Sequence, residues 1–169
     1  MKLRLPGISD AYRLAWRSAR HLPVSLGYSL AHAVADIVWV WYCLRPITAV
    51  EQLERNFSRL LPPGIPPRVL RLITREGLRS YTRYFYEVFA LPGITPEQVL
   101  ARVRADVDPQ LHEDVRQGNV IIALPHMGNW DLIGAWACSE LATVLTVVER
   151  LKPDDLFEQF LTFREGMGL

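Results

Sequence analysis

Lysine, cysteine and net charge are all scarce in this sequence, and each shortage excludes a class of protein. Lys2 and Lys152 are the only lysines, so arginine supplies the other seventeen of the 19 basic residues. Because the formal net charge is only +1, the chain lacks the basic excess of a general nucleic-acid-binding protein, and we expect no nucleic-acid partner. Cys43 and Cys138 form neither a CxxC motif nor a disulfide framework, which favours a reducing, cytoplasmic setting.

Motifs for secretion, nucleotide phosphates and metal ions are also missing. The opening residues, MKLRLPGISDAYRLAW, contain no apolar h-region or cleavage site, so we expect no secretory signal. The chain has neither a GxGxxG nor a P-loop sequence. Its histidines lack the spacing of zinc ligands, so we expect no bound metal and no resident cofactor; they are His21, His32, His112 and His126.

What remains is an apolar chain of 169 residues, long enough for one domain with its own core. Caps, prolines and apolar periodicity predict helices, followed by a strand, a helix, a second strand and a last helix. The predicted helices cover residues 10–21, 24–44, 48–61, 67–91, 108–118, 129–140 and 154–164, and a further short helix is predicted to start at 95–96. The strands cover 119–124 and 144–149. Since strand–helix–strand–helix is a parallel crossover unit, we expect an α/β fold, with N-terminal helices followed by the first strands of a mostly parallel sheet.

Two N-terminal features suit a membrane surface, although both have an ordinary alternative. Residues 24–44 are the most apolar run, but His32 and Asp36 within it disfavour a membrane span and favour a buried or interfacial helix. Arginines recur on one face of the first helix and of the fourth; they are Arg13, Arg17 and Arg20, and Arg71, Arg75, Arg79 and Arg83. Such faces contact anionic phosphates or are simply solvated, and Arg83 has a partner in Glu87.

The stretch VIIALPHMGNWDLIGAW (120–136) carries the best candidate site. His126 follows the first predicted strand, Gly128 permits a left-handed backbone, and Asn129 is a plausible N-cap that places Asp131 in the first helical turn. The second strand ends at Glu149, and the carboxyl ends of parallel strands share one sheet edge, where ligands bind. We therefore expect these groups to converge there.

This arrangement favours base-assisted transfer to a hydroxyl group. A histidine takes a proton near neutral pH, a carboxylate fixes its tautomer, and helix amides stabilise an oxyanion. Because no serine or cysteine nucleophile is present at the joint, the attacking oxygen would belong to a substrate. A structural histidine in a loop, with an aspartate that merely complements the helix dipole, is an equally good interpretation of the spacing.

The segments ALPHMGNWD and ERLKPDDLFEQFLTFREGMG resemble the bacterial lysophospholipid acyltransferase superfamily, whose hallmark is a histidine, four residues, then Asp or Glu. The aspartate, the GNWD context and VVERLKP are most similar to actinobacterial phosphatidylinositol mannoside acyltransferases. EQLERNFSRLLP and YTRYFYEVFALP also resemble that family's N-terminal helices, so the resemblance covers nearly the whole chain.

The resemblance implies a three-layer acyltransferase fold and transfer of a fatty acyl group from acyl-CoA to a mannose hydroxyl of a phosphatidylinositol mannoside. It implies His126 as general base, with Asp131 and Glu149 as further charged groups of the active site. Arg164 is implied to contact acyl-CoA, with Gly128 and Asn129 in the substrate site. It further implies a peripheral protein on the cytoplasmic side of the inner membrane, docked through its N-terminal helices.

Family members continue past REGMG with more strands, so we expect this chain to be the N-terminal part of one acyltransferase domain. Residues 1–95 would be the helical, membrane-facing part, and residues 96–169 the start of the catalytic core. Another glycolipid acceptor, of the lipid A type, remains an alternative, as does an inactive membrane-associated fragment. The sequence leaves the acyl length, the acceptor hydroxyl and the oligomeric state open.

Overall fold

The structure is a computed structural model that describes residues 8–118, 120–125 and 127–168. Within these ranges the chain forms eight α-helices and one short 3-10 helix at Leu91–Gly93. The α-helices are α1 (Ile8–Ala19), α2 (Val24–Leu44), α3 (Thr48–Leu60), α4 (Pro67–Ala90), α5 (Pro96–Arg102), α6 (Pro109–Gln117), α7 (Trp130–Glu140) and α8 (Asp154–Glu165).

The prediction of a mostly parallel sheet is wrong, because no strand forms within the residues described. The two predicted strands fall in residues 120–125 and 142–150, apart from Asn119, which lies outside the described residues. Both segments have neither helical nor strand structure. A strand is stable only when neighbours satisfy its backbone groups and pack against its side chains. These two segments do not pair with each other, and two strands alone would make a marginal sheet at best. The regular secondary structure of the described residues is therefore all helical.

The chain divides into two compact units, here called the inserted unit and the split unit. The inserted unit is Leu22–Tyr86 and contains α2, α3 and most of α4. The split unit combines Met1–His21 with Glu87–Leu169, so it holds α1 and everything from the end of α4 onward. The single acyltransferase domain, with parts 1–95 and 96–169, stays a prediction.

In the inserted unit, α2 and α4 approach closely at a glycine. A Cβ atom built on Gly27 would overlap the ring of Tyr86, so only glycine leaves room for this contact. The Tyr86 hydroxyl donates to the carbonyl of Leu22 at 3.4 Å, and its ring meets Tyr28 edge to face. The close approach therefore depends on the missing side chain.

The ionisable group that interrupts the apolar run of α2 is paired with α4. Asp36 accepts hydrogen bonds from Arg75 Nε at 3.0 Å and from Arg79 Nη2 at 2.6 Å. Hydrogen bonds from Arg79 first, and then from Arg75, hold the pKa of the Asp36 carboxyl well below its ordinary value. Two members of the predicted arginine stripe therefore serve the packing of α2 on α4 rather than facing solvent alone.

Aromatic side chains form the core of the split unit. Trp16 of α1 packs edge to face on Phe89 at 5.1 Å and on Phe160 at 4.9 Å between ring centroids, and Phe163 lies 5.8 Å away. Tyr12 also meets Phe89, at 5.4 Å. Offset and edge-to-face aromatic pairs of this kind add to the burial of apolar area. The apolar side of α1 therefore packs against α8 and the end of α4.

Side-chain caps begin several helices where the sequence predicted them. Thr95 and Gln98 form a reciprocal capping box at α5, and Asp108 accepts from the amide of Gln110 at α6. The spacing of Thr48 and Glu51 predicts a capping box with Thr48 as N-cap. This prediction is wrong, because Ile47 is the N-cap of α3 and makes no side-chain cap. The side chain of Ile47 is apolar, so it cannot accept a hydrogen bond from the first amides of α3.

Candidate active site

The turn that leads into α7 has the predicted backbone and cap. Gly128 has a φ of +66°, a left-handed conformation that favours glycine. Asn129 is the N-cap, and its Oδ1 accepts from the amide of Leu132 at 3.0 Å. His126, the predicted general base, lies outside the described residues. The sequence thus correctly predicted the local geometry that surrounds this position in the chain.

Asp131, in the first turn of α7, is the most deeply buried charged group of the described chain, with 1% of its surface exposed. The Nε of Arg164 on α8 donates to its Oδ1 at 3.0 Å. A carboxylate removed from water needs such a charged donor, because an unpaired buried charge is strongly unfavourable. The structure therefore brings together two of the predicted site residues and joins α7 to α8.

The ion pair uses only part of the Arg164 guanidinium. Its hydrogen bond to Asp131 comes from Nε, and within the described residues the two terminal nitrogens make no hydrogen bond. The Arg164 side chain keeps 23% of its surface exposed. A guanidinium has five N–H donors, so this side chain can hold Asp131 and still offer donors to an anionic ligand.

Sequence reasoning missed one polar residue of this site. The carboxylate of Glu87, near the end of α4, accepts a hydrogen bond from the Asn129 Nδ2 group at 3.2 Å. The spacing in the sequence offers Arg83, one turn earlier, as a partner for Glu87, and that pairing stays a prediction. A better signal was present: Glu87 is the one acidic residue within the aromatic segment YFYEVFA (84–90), where a carboxylate needs a polar partner.

Glu149 is not brought into this group of contacts. It lies in the irregular segment between α7 and α8, is exposed, and makes no hydrogen bond or ion pair with the described residues. Its neighbour Arg150 pairs with Asp154 at 3.2 Å and lies over the ring of Phe157. Its convergence with Asp131 depended on the strands, so its role as an active-site group stays a prediction.

Helix α7 directs its first amides toward the Gly128 turn. Helix N-termini leave amide groups without intrahelical partners and carry a partial positive charge. Asn129 satisfies one of these amides, and none of the described atoms lies within 4 Å of a Cβ built on Gly128. An oxygen that gains negative charge during a reaction would be stabilised in such a place.

A cleft of about 670 Å³ lies beside α1 in the split unit. Its walls combine the arginine face of α1 with residues of α8; they include Arg13, Arg17, Arg20, Trp16, Asp155, Glu158 and Phe163. Arg13 forms a 3.5 Å ion pair with Asp155. The predicted basic face of α1 is thus partly engaged with acidic groups of α8 rather than directed only at a membrane or solvent.

No group of three or more side chains suited to a metal ion occurs in the part of the chain that the structure describes.

The acyltransferase resemblance was stated on a histidine, four residues and then an aspartate, and in the structure that aspartate is buried and paired with an arginine. Comparison with known proteins agrees with the resemblance. Residues 3–169 match the family described as bacterial lipid A biosynthesis acyltransferase. The chain belongs to this family. The resemblance stated from the sequence is therefore confirmed.

The curated relatives narrow the comparison. A phosphatidylinositol mannoside acyltransferase of Mycobacterium tuberculosis (strain ATCC 25618 / H37Rv) is 37% identical over 122 residues, which are 70% of this chain and 38% of that protein. The enzyme of the same name from Mycolicibacterium smegmatis is 34% identical over 161 residues, 93% of this chain and 50% of that protein. The chain thus spans half, or less, of the length of these relatives.

Proposed function

We propose that this chain is part of an enzyme that transfers a fatty acyl group from acyl-CoA to a mannose hydroxyl of a phosphatidylinositol mannoside. The observation that supports it most is the buried Asp131–Arg164 pair at the N-terminus of α7, five residues after His126. The relatives named for this acceptor support the choice of substrate. The choice of acyl-CoA as donor follows from the sequence resemblance and from the terminal nitrogens of Arg164, which suit a phosphate group.

In the proposed mechanism His126 takes the proton of the acceptor hydroxyl as that oxygen attacks the thioester carbonyl. The carbonyl oxygen becomes negatively charged, and amides of α7 near Gly128 and Asn129 stabilise it. The C–S bond then breaks, the acyl group remains on the acceptor oxygen, and the proton held by His126 passes to the departing CoA sulfur. Glu149 would supply a further charge near the reacting groups.

Asp131 would act on His126, from which four residues separate it in the sequence, and Arg164 would hold that aspartate in place. Because the Asp131 carboxylate is buried, its charge is little screened by solvent and favours a cationic imidazole nearby. The pair also fixes α8 against α7, so the donors of Arg164 would face the acyl donor in a constant orientation.

We further propose that the protein binds the cytoplasmic face of the inner membrane through α2. Exposed apolar residues follow one stripe of this helix, each between 46% and 75% exposed; they are Leu26, Leu30, Val34, Ile37, Trp41 and Leu44. A neighbouring side of the helix buries Gly27, Ala31 and Ala35. By length and composition α2 also meets the criteria for a membrane span, alone among the helices described. The ion pairs of Asp36 favour a helix that lies in the interface.

The decisive experiment compares wild type with His126→Ala in the protein expressed from its complete gene. The assay follows transfer of a labelled acyl group from palmitoyl-CoA to purified phosphatidylinositol mannoside. Loss of a general base lowers turnover by about two to four orders of magnitude. An Ala variant with wild-type turnover would remove His126 from the mechanism. Circular dichroism and the melting temperature of both proteins serve as the control for folding.

A lipid A-type acceptor is the second candidate, favoured by the description of the matched family. The same assay with a lipid A precursor in place of phosphatidylinositol mannoside separates the two acceptors. A higher kcat/KM for the lipid A precursor would replace the mannoside in the proposal. Absence of transfer to both acceptors would leave an inactive, membrane-associated protein as the remaining hypothesis.

A further inference from the structure

Glu87 and Asn129 form a hydrogen-bonded chain that reaches the first turn of α7. Glu87 Oε2 accepts from Asn129 Nδ2 at 3.2 Å, and Asn129 Oδ1 accepts from the Leu132 amide at 3.0 Å. Both side chains are half-buried, and both belong to the split unit. They are 42 residues apart in sequence, so the contact joins the end of α4 to the start of α7.

The carboxylate determines which way the Asn129 amide points. An asparagine side chain has an acceptor end and a donor end of nearly equal size, whereas an ionised carboxylate only accepts. With Glu87 at the NH₂ end, the oxygen end must face the helix amide, which is the orientation that caps α7. If Glu87 were removed, the amide could rotate, and the Leu132 N–H would lose its acceptor.

We propose that Glu87 is a positioning residue for the acyl-transfer site. This inference rests on the proposed function, since it assigns Glu87 a part in that reaction. Glu87 fixes the Asn129 cap, and the cap fixes the turn that carries Asp131 and follows the Gly128 backbone. Arg164 holds the same turn through Asp131, so α4 and α8 stabilise it through different side chains.

The first test removes the carboxylate. We expect Glu87→Ala to lower kcat about ten- to a hundredfold while KM for both substrates changes little, because misplaced catalytic groups slow chemistry more than binding. Glu140→Ala, an exposed glutamate at the other end of α7, is the matched control and should retain wild-type kcat. An unchanged kcat in Glu87→Ala, or an equal rise of both KM values without loss of kcat, would overturn the proposal.

The second test reverses the direction of the hydrogen bond. Asn129→Asp retains a good N-cap but sets two carboxylates against each other, so we expect kcat to fall. Adding Glu87→Gln restores the contact, because the amide introduced at position 87 donates to the carboxylate introduced at position 129. A double variant that is faster than Asn129→Asp supports the proposal. A double variant with additive losses contradicts it.

A third measurement does not depend on activity. Hydrogen exchange of the Leu132 amide should be at least about tenfold faster in Glu87→Ala than in wild type, with the Glu140→Ala control unchanged. If wild type transfers no acyl group, the proposed function fails, and this rate still decides whether Glu87 holds the cap. Unchanged exchange at Leu132 would overturn the role of Glu87 whatever the activity.

Discussion

The Nε of Arg164 lies 3.0 Å from the Oδ1 of Asp131, a residue with only 1% of its surface exposed to solvent. The two residues are 33 positions apart and lie on different helices, α8 and α7. Through this ion pair Arg164 affects two properties: the stability of the split unit and the charge at the candidate site. The two properties can be separated by choosing which partner is replaced.

Replacing either partner should destabilise the fold. We expect Arg164→Ala and Asp131→Ala each to lower the free energy of unfolding by about 3–5 kcal/mol, because each leaves an uncompensated charge or a vacated buried site. Urea titrations followed by circular dichroism measure this. Arg150→Ala, which breaks an exposed pair with Asp154, is the control and should cost about 0–1 kcal/mol. Equal losses in Arg164→Ala and Arg150→Ala would contradict a buried, interdependent pair.

Steady-state kinetics should separate the role of Arg164 in binding acyl-CoA from its role in the ion pair with Asp131. We expect Arg164→Ala to raise KM for acyl-CoA more than KM for the lipid acceptor, since charge-assisted bonds to a phosphate are lost. Asp131→Asn breaks the same pair but keeps the guanidinium, so it should not show this selectivity. Steady-state assays well below the melting temperature make the comparison. Equal KM effects of Arg164→Ala on both substrates would show that Arg164 acts only through Asp131.

The inserted unit should lose stability in acid through Asp36. Arg79 and Arg75 hold the folded pKa of Asp36 well below its ordinary value of 3.8. Because the unfolded chain binds the proton first, the stabilisation is fully present above the unfolded pKa and is lost as pH falls through the lower folded pKa. The unfolding free energies of wild type and Asp36→Asn should therefore differ at pH 6 and converge as pH is lowered below about 4. A difference independent of pH would contradict the assignment.

Membrane binding should depend on the exposed stripe of α2. Ile37 is 69% exposed, and burying such a side chain in lipid contributes about 1.5–3 kcal/mol. We expect Ile37→Glu to weaken binding to anionic vesicles at least about tenfold in a sedimentation assay. Leu60→Glu, at the end of α3 and 80% exposed, is the control and should bind as wild type does. Equal weakening by both substitutions would argue against α2 as the docking surface.

Helix caps and turn conformations were predictable from the sequence, because they depend on residues that are close neighbours in the chain. Asn129 and Asp108 begin helices because a short polar side chain reaches an amide two or three positions ahead. Gly128 adopts a left-handed backbone for an equally local reason. At Thr48 the same reasoning failed by one residue, because the helix begins there and Ile47 precedes it.

Contacts between distant parts of the chain were not predictable in this way. The arginine spacing on α4 is the same whether Arg75 and Arg79 face lipid, water or Asp36, and only the packing of α2 decides. Residues 120–125 and 144–149 have strand-like composition, but a strand also needs partners that composition does not specify. The pairing of Glu87 with Asn129 likewise depends on how α4 meets α7.

The aromatic core of the split unit has a consequence for the order in which the protein folds as it is synthesised. The inserted unit is one continuous segment, so its helices can assemble as soon as Tyr86 has left the ribosome. Trp16 on α1 instead packs on Phe160 of α8, which is translated much later than α1. Until α8 has been translated, the indole of Trp16 lacks this partner, and we expect a nascent chain stalled before α8 to bind chaperones through α1.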